Sequence, residues 1–211
     1  LTLILCFGLF YNDYSWKVLV IILSFLCLYE FYNLINNIYK NKIIIIILFV
    51  LVSFYFFFFS SLLIRLKIEF GEEMILILII SCIFSDIGGY IVGKSVGGPK
   101  LTSISPNKTI SGAFGSIIFT IIGTSLFLIY LNNVEENKFE LKFSVSFCIW
   151  LVVMSILCQL GDLIISYLKR RANIKDTGNI LPGHGGILDR VDGIIFAIPI
   201  GILIYFFLGL S

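Results

Sequence analysis

The 211-residue chain is 59% hydrophobic and 13% charged, with mean hydropathy +1.05, against roughly 45–50% apolar and about 25% charged residues in soluble domains. This excludes a water-soluble globular enzyme and identifies an integral membrane protein, with the lipid bilayer as a partner and nucleic acid not among them. The net charge of +2 says little as a sum; its distribution along the chain says more.

Apolar stretches recur at 1–11, 17–36, 43–64, 74–92, 112–131, 143–165 and 193–210. Most reach the roughly 17–25 residues that a helix needs to cross a hydrocarbon core. The first covers only about half that distance at about 1.5 Å per residue. It opens on Leu1 with neither a basic n-region nor a small-residue cleavage site, so it reads as a shortened helix rather than a signal peptide. The expected fold is all-α: a polytopic transmembrane helix bundle of about six full membrane helices plus the truncated first one. The chain divides into N-terminal transmembrane helices (1–73) and a C-terminal transmembrane region (74–211) carrying two polar loops, 93–111 and 166–192, where the chemistry is expected.

Within the second stretch, Glu30 in LYEFYNL reads as a carboxylate snorkelling to the membrane interface. Cys6, Cys27, Cys82, Cys148 and Cys158 all lie in apolar segments without CxxC spacing and read as packing residues. Residues 88–95, GGYIVGKS, match a phosphate-loop pattern, but that loop needs a preceding buried strand, and the residues before it continue a membrane-length apolar run. Gly89, Gly93 and Gly97 read instead as small residues that let helices approach, with Gly97 and Gly98 ending the helix before Pro99.

Asp86, Tyr90 and Lys94 follow at i, i+4 and i+8 and share a helical face. An ionisable group in an apolar segment marks a site more often than not. In the loop that follows, Ser105, Lys108 and Thr109 offer an ammonium and two hydroxyls suited to phosphate oxygens; the alternative is a solvated basic loop against lipid head groups. In the second loop, Asp162, Ser166 and Arg170 line one face of the helix leaving the membrane, with Lys169 alongside. Asp189 and Asp192, at i and i+3, start the last apolar segment. Three carboxylates on two helix ends suit a hard cation that keeps substrate phosphates in its shell, whereas helix capping alone accounts for Asp189 but not for Asp162 and Asp192. His184 sits in the loop sequence PGHGG, where a catalytic and a structural histidine are equally plausible.

Charge sets the orientation. If loops 93–111 and 166–192 share a compartment with 37–42, that side holds ten Lys and Arg, against five on the side of 12–17, 65–73 and 132–142. The positive-inside rule makes the first side cytoplasmic.

Residues 166–192, SYLKRRANIKDTGNILPGHGGILDRVD, closely resemble the phosphatidate cytidylyltransferase (CDP-diacylglycerol synthase) family. The family's C-terminal signature is met at every fixed position from Ser166 through Asp192. The upstream order Asp86, Tyr90, Gly93, Lys94, Leu101, Ser105, Pro106, Lys108, Thr109 and Gly112 is also similar, with Gly89 where an Ala is usual and Ser111 where many members have Glu. The resemblance is strong over roughly 80–211 and general before it.

It implies the reaction CTP + phosphatidate to CDP-diacylglycerol + pyrophosphate, at the cytoplasmic face of a bacterial inner membrane. Mg2+, with room for a second metal ion, would be held by Asp162, Asp189 and Asp192. Lys169, Arg170, Lys175 and Arg190 would clamp phosphates beside His184, and Lys108 with Ser105 would hold the nucleotide or pyrophosphate. Asp86, Tyr90, Lys94, Thr109 and Ser166 would complete the substrate contacts, and a homodimer is compatible with the sequence. Two other readings stay open: a CTP-dependent lipid kinase or a cytidylyltransferase for another lipid, and a transporter of phosphorylated solutes.

Overall fold

A chain this apolar must satisfy its backbone N–H and C=O groups internally, because lipid offers them no partner. The computed structural model describes residues 8–134, 143–180, 183 and 185–210, and they are almost entirely helical. Five long helices follow in order: α1 Asp13–Ile38, α2 Lys42–Val96, α3 Ile110–Val134, α4 Val145–Arg171 and α5 Leu188–Phe207. All five are long and apolar enough to cross a membrane. At 55 residues α2 is about twice the necessary length, and it breaks at Gly71 (φ 79°, ψ −172°). Such a φ is readily reached only without a Cβ. Each arm, 42–70 and 72–96, is itself of membrane-spanning length, so the described helices supply the six long spans expected from hydropathy.

The polar loops are shorter than their charges suggest. Helix α2 runs on through Lys94 to Val96, and α4 through Lys169, Arg170 and Arg171, before α5 opens at Leu188. The non-helical segments are therefore 97–109 and 172–187. Residues 88–95 lie inside α2 with no strand before them, which removes the phosphate-loop reading.

The chain forms two compact units, one of Leu1–Ile75 with Tyr167–Val191 and the other of Leu76–Ser166 with Asp192–Ser211. In the first, α1 starts on a capping box between Asn12 and Ser15, which satisfies helix N–H groups that have no intrahelical partner. The Trp16 indole N–H donates to the Leu63 carbonyl at 3.2 Å, and the Ser24 and Ser60 hydroxyls meet at 2.7 Å. Lys67, which hydropathy places in an outer polar segment, is buried, lying 3.4 Å from Asp13 and 3.6 Å from Glu72. Leu34, Ile35, Ile45 and Ala172 form an apolar cluster beneath the second polar loop.

In the second unit, a seam of small residues joins α2 to α3. A Cβ on Gly88 would lie 2.5 Å from the Gly115 carbonyl, and one on Gly112 2.8 Å from the Gly89 carbonyl. The close-approach reading holds for Gly89 and Gly93. Gly97 and Gly98 have open space around them and positive φ, so they end the helix through conformation and not through packing. A second close crossing brings α4 to α5, where a Cβ on Gly161 would lie 2.5 Å from the Asp192 carbonyl and one on Gly193 2.5 Å from Cys158 Sγ. Trp150 stacks on Phe147 and meets Tyr205 edge-on, and its indole N–H donates to the Gly201 carbonyl at 2.7 Å. Cys27, Cys82 and Cys158 are buried free thiols and Cys148 is partly buried, as expected of packing residues, while Cys6 lies outside the described residues.

Candidate functional site

Thr109 caps α3, its Oγ1 accepting from the Gly112 N–H at 3.1 Å. The chain before it folds back on itself. The Leu101 N–H donates to the Lys108 carbonyl at 2.8 Å, the Ile110 N–H to the Pro99 carbonyl at 3.0 Å, and the Lys108 N–H to the Ser105 carbonyl at 3.1 Å. This miniature hairpin presents Lys108 to a cavity of about 340 Å³ in the second unit, lined by Asp86, Tyr90, Ser105, Asn107, Thr109, Gln159 and Asp162 among others. Inside it the Lys108 ammonium sits 2.5 Å from Asp162 Oδ2, and the other oxygen, Oδ1, accepts from the Ser166 hydroxyl at 3.2 Å. The volume lies in the range of small-molecule sites, about 300–1,000 Å³.

Asp86, Tyr90, Ser105, Lys108, Thr109 and Asp162 are thus brought to one cavity, while Lys94 turns outward to the Tyr90 hydroxyl at 3.3 Å. Ser166 supports Asp162 from the next turn of α4. Asp192 lies at the α4–α5 crossing, one residue from the Gly193 contact, with its Oδ1 accepting from the Gly193 N–H. Asn107 and Gln159 escape a sequence reading because neither carries a charge that stands out.

The first unit contains the rest of the polar block. Lys169 Nζ donates to Asp189 Oδ1 at 2.7 Å, and both side chains are largely buried. Asp189 Oδ2 accepts from the Thr177 N–H at 2.8 Å and from the Gly186 N–H at 3.1 Å. Both carboxylate oxygens are therefore engaged by the chain itself. Arg170, Lys175 and Arg190 are exposed, and His184 lies outside the described residues. Among the described residues no group of three or more His, Cys, Asp or Glu is gathered for a metal ion.

One reading is overturned. Glu30 does not snorkel: it is 1% exposed, and its oxygens accept from the Thr177 hydroxyl, the Ile187 N–H and the Leu188 N–H. A carboxylate enclosed by three donors has exchanged water for the chain. Its donors lie in a distant segment of the chain, so nothing local signals them.

The sequence profile of the cytidylyltransferase family matches residues 1–208. Among individual proteins, the chain is 42% identical over 127 residues to a phosphatidate cytidylyltransferase of Bacillus subtilis, covering 60% of this chain and 44% of that one. It is 38% identical over 140 residues to one of Helicobacter pylori, covering 65% and 49%. It is 40% identical over 150 residues to one of Rickettsia typhi, covering 69% and 65%. The chain spans about half the length of the first two relatives.

Proposed function

We propose that this chain, which belongs to the cytidylyltransferase family, transfers CMP from CTP to phosphatidate, giving CDP-diacylglycerol and pyrophosphate. The observation that carries this reading is the Lys108–Asp162 pair within a cavity lined by Ser105, Asn107, Thr109 and Gln159. Here an ammonium is held beside a carboxylate in a pocket that also offers neutral donors, where a polyphosphate can take it over from the carboxylate. The names of the relatives supply the substrate pair, and the unbroken signature at 166–192 supports it.

The acceptor makes modest chemical demands. A phosphate monoester has its second pKa near 6 and is mostly dianionic at neutral pH, so its oxygen can attack the α-phosphorus of CTP without a strong general base. The attacking oxygen gains the bond to phosphorus, and the bridging oxygen to the β-phosphate leaves with pyrophosphate. What the protein must supply is alignment and relief of repulsion between two polyanions. Lys108 would move from Asp162 to a phosphate oxygen, a charge-assisted contact, while Ser105 and Asn107 orient the same group. Lys169, held by Asp189, and Arg190 would meet phosphate at the other polar loop.

The shift of Lys108 would free Asp162. Asp86 and Asp162, both oxygen donors lining the cavity, fit a magnesium ion, which is commonly bound by one or two carboxylates together with substrate phosphates; Asp192 is a further candidate. When bound, such an ion neutralises charge on the transferring and leaving oxygens. Asp189 fits this role poorly, since one oxygen is taken by Lys169 and the other by two amides. The excess of Lys and Arg beside both polar loops supports a cytoplasmic active site, and the bacterial relatives support a bacterial cytoplasmic membrane.

The test is label transfer by the purified protein in detergent with phosphatidate and magnesium. Label from α-labelled CTP should enter lipid, and label from γ-labelled CTP should leave as pyrophosphate. Lipid labelled from the γ position would identify a kinase instead.

A further inference from the structure

The buried Glu30 has no part in the chemistry above. Its Oε2 accepts from the Leu188 N–H at 2.8 Å and from the Thr177 hydroxyl at 3.0 Å, and its Oε1 accepts from the Ile187 N–H at 3.0 Å. Leu188 is the first residue of α5, where backbone N–H groups lack intrahelical partners and the helix dipole favours negative charge. Glu30 therefore caps α5 from a separate helix. The polar loop has also been cut to fit it, since a Cβ on Gly178 or on Gly186 would stand 2.5 Å from a Glu30 oxygen. Thr177 continues the connection, because its hydroxyl meets Glu30 while its N–H meets Asp189, which in turn holds Lys169.

We propose that Glu30 is a positioning residue for CMP transfer, acting through Thr177 and the first turn of α5 to hold the Lys169–Asp189 pair and Arg190 in place for phosphate. All three of its contacts are to the chain, so it is not a catalytic residue. The proposal rests on the CMP-transfer reading. It also gives Gly178 and Gly186 a physical reason: both lie against a carboxylate that leaves no room for a side chain.

Glu30→Gln keeps the size but turns an NH2 group toward a backbone or hydroxyl donor. It should lower kcat by on the order of tenfold to a hundredfold, the loss expected when a buried donor is left unmatched, while KM for CTP moves much less. Hydrogen exchange at the amides of Ile187 and Leu188 should accelerate on the same scale, with expression and membrane insertion unchanged. Thr177→Val, which removes one of three donors, should show a smaller loss in both readouts. The assignment is overturned if Glu30→Gln keeps kcat within about threefold of wild type, the scale of an ordinary surface substitution, or if the two amides stay protected. Should Glu30→Gln not accumulate in the membrane, wild-type kcat and protection in Thr177→Val overturn it. Wild-type protein that transfers no CMP sinks the functional reading, whereas unchanged exchange in the variants sinks the assignment of Glu30 alone.

Discussion

Lys108 and Asp162 stand 2.5 Å apart with the lysine side chain 25% and the aspartate 33% exposed, shielded enough for the contact to matter and open enough for a ligand to displace it. On the proposed reading, Lys108→Ala would remove a charge-assisted phosphate contact of about 1.5–3 kcal/mol. Steady-state assays should show a loss of roughly ten- to a hundredfold in kcat/KM, carried mainly by KM for CTP. A variant whose KM for CTP equals wild type would remove Lys108 from the nucleotide site. The aspartates should separate by their partners. Asp162→Asn should raise the magnesium concentration needed for half-maximal rate, since it removes a charged oxygen from the cavity. Asp189→Asn should leave that concentration unchanged but lower the thermal midpoint, because the Lys169 ammonium loses its counter-charge at a cost of about 1–3 kcal/mol. Reversal of the two results would make Asp189 the metal ligand.

At the scale of the helix, glycines do two different jobs. Gly115 lies in the α2–α3 seam, where an added Cβ would stand 2.8 Å from the Gly88 carbonyl and closer still to the Val92 side chain. Gly97 has nothing within 4 Å but a φ of +65°. Gly115→Ala should therefore cost about 1–3 kcal/mol by overpacking and be relieved in part by Val92→Gly, which removes the Cβ and Cγ2 that would crowd the added methyl. Gly97→Ala should cost about 1–2 kcal/mol through the left-handed backbone, with no rescue by Val92→Gly. Thermal unfolding in detergent of the single and double variants distinguishes the two causes. Equal rescue in both backgrounds would refute the distinction.

For the whole molecule, the charge distribution makes a topological prediction. Cysteines introduced at Ser103 and Asn179, in the two polar loops, should react with a membrane-impermeant maleimide from the cytoplasmic side. One introduced at Tyr14, which is 76% exposed at the start of α1, should react from the opposite side. Cys27, Cys82 and Cys158 are buried, and the background is fixed by carrying out the labelling in a protein with Cys6 and Cys148 replaced by Ser. Labelling of all three from one side would contradict the alternation.

The sequence by itself determined the helical class, the positions of the long spans and the two polar segments from which the candidate site is built. These rest on local properties: runs of apolar residues long enough for a bilayer, glycine and proline at helix ends, and a dense motif at 166–192. It also placed Asp86 on a helical face with Tyr90, and Asp162 with Ser166, because a helix repeats every 3.6 residues whatever surrounds it. Only the tertiary structure decided what each carboxylate meets. Asp162 and Asp189 look alike in sequence, yet one faces a cavity with Lys108 while the other is closed in by Lys169 and two amides. Glu30 shows the limit most plainly. Its backbone donors lie 157 and 158 residues further along the chain, and a buried charge is stabilised by whichever donors the fold delivers to it, a quantity that no local pattern of residues encodes.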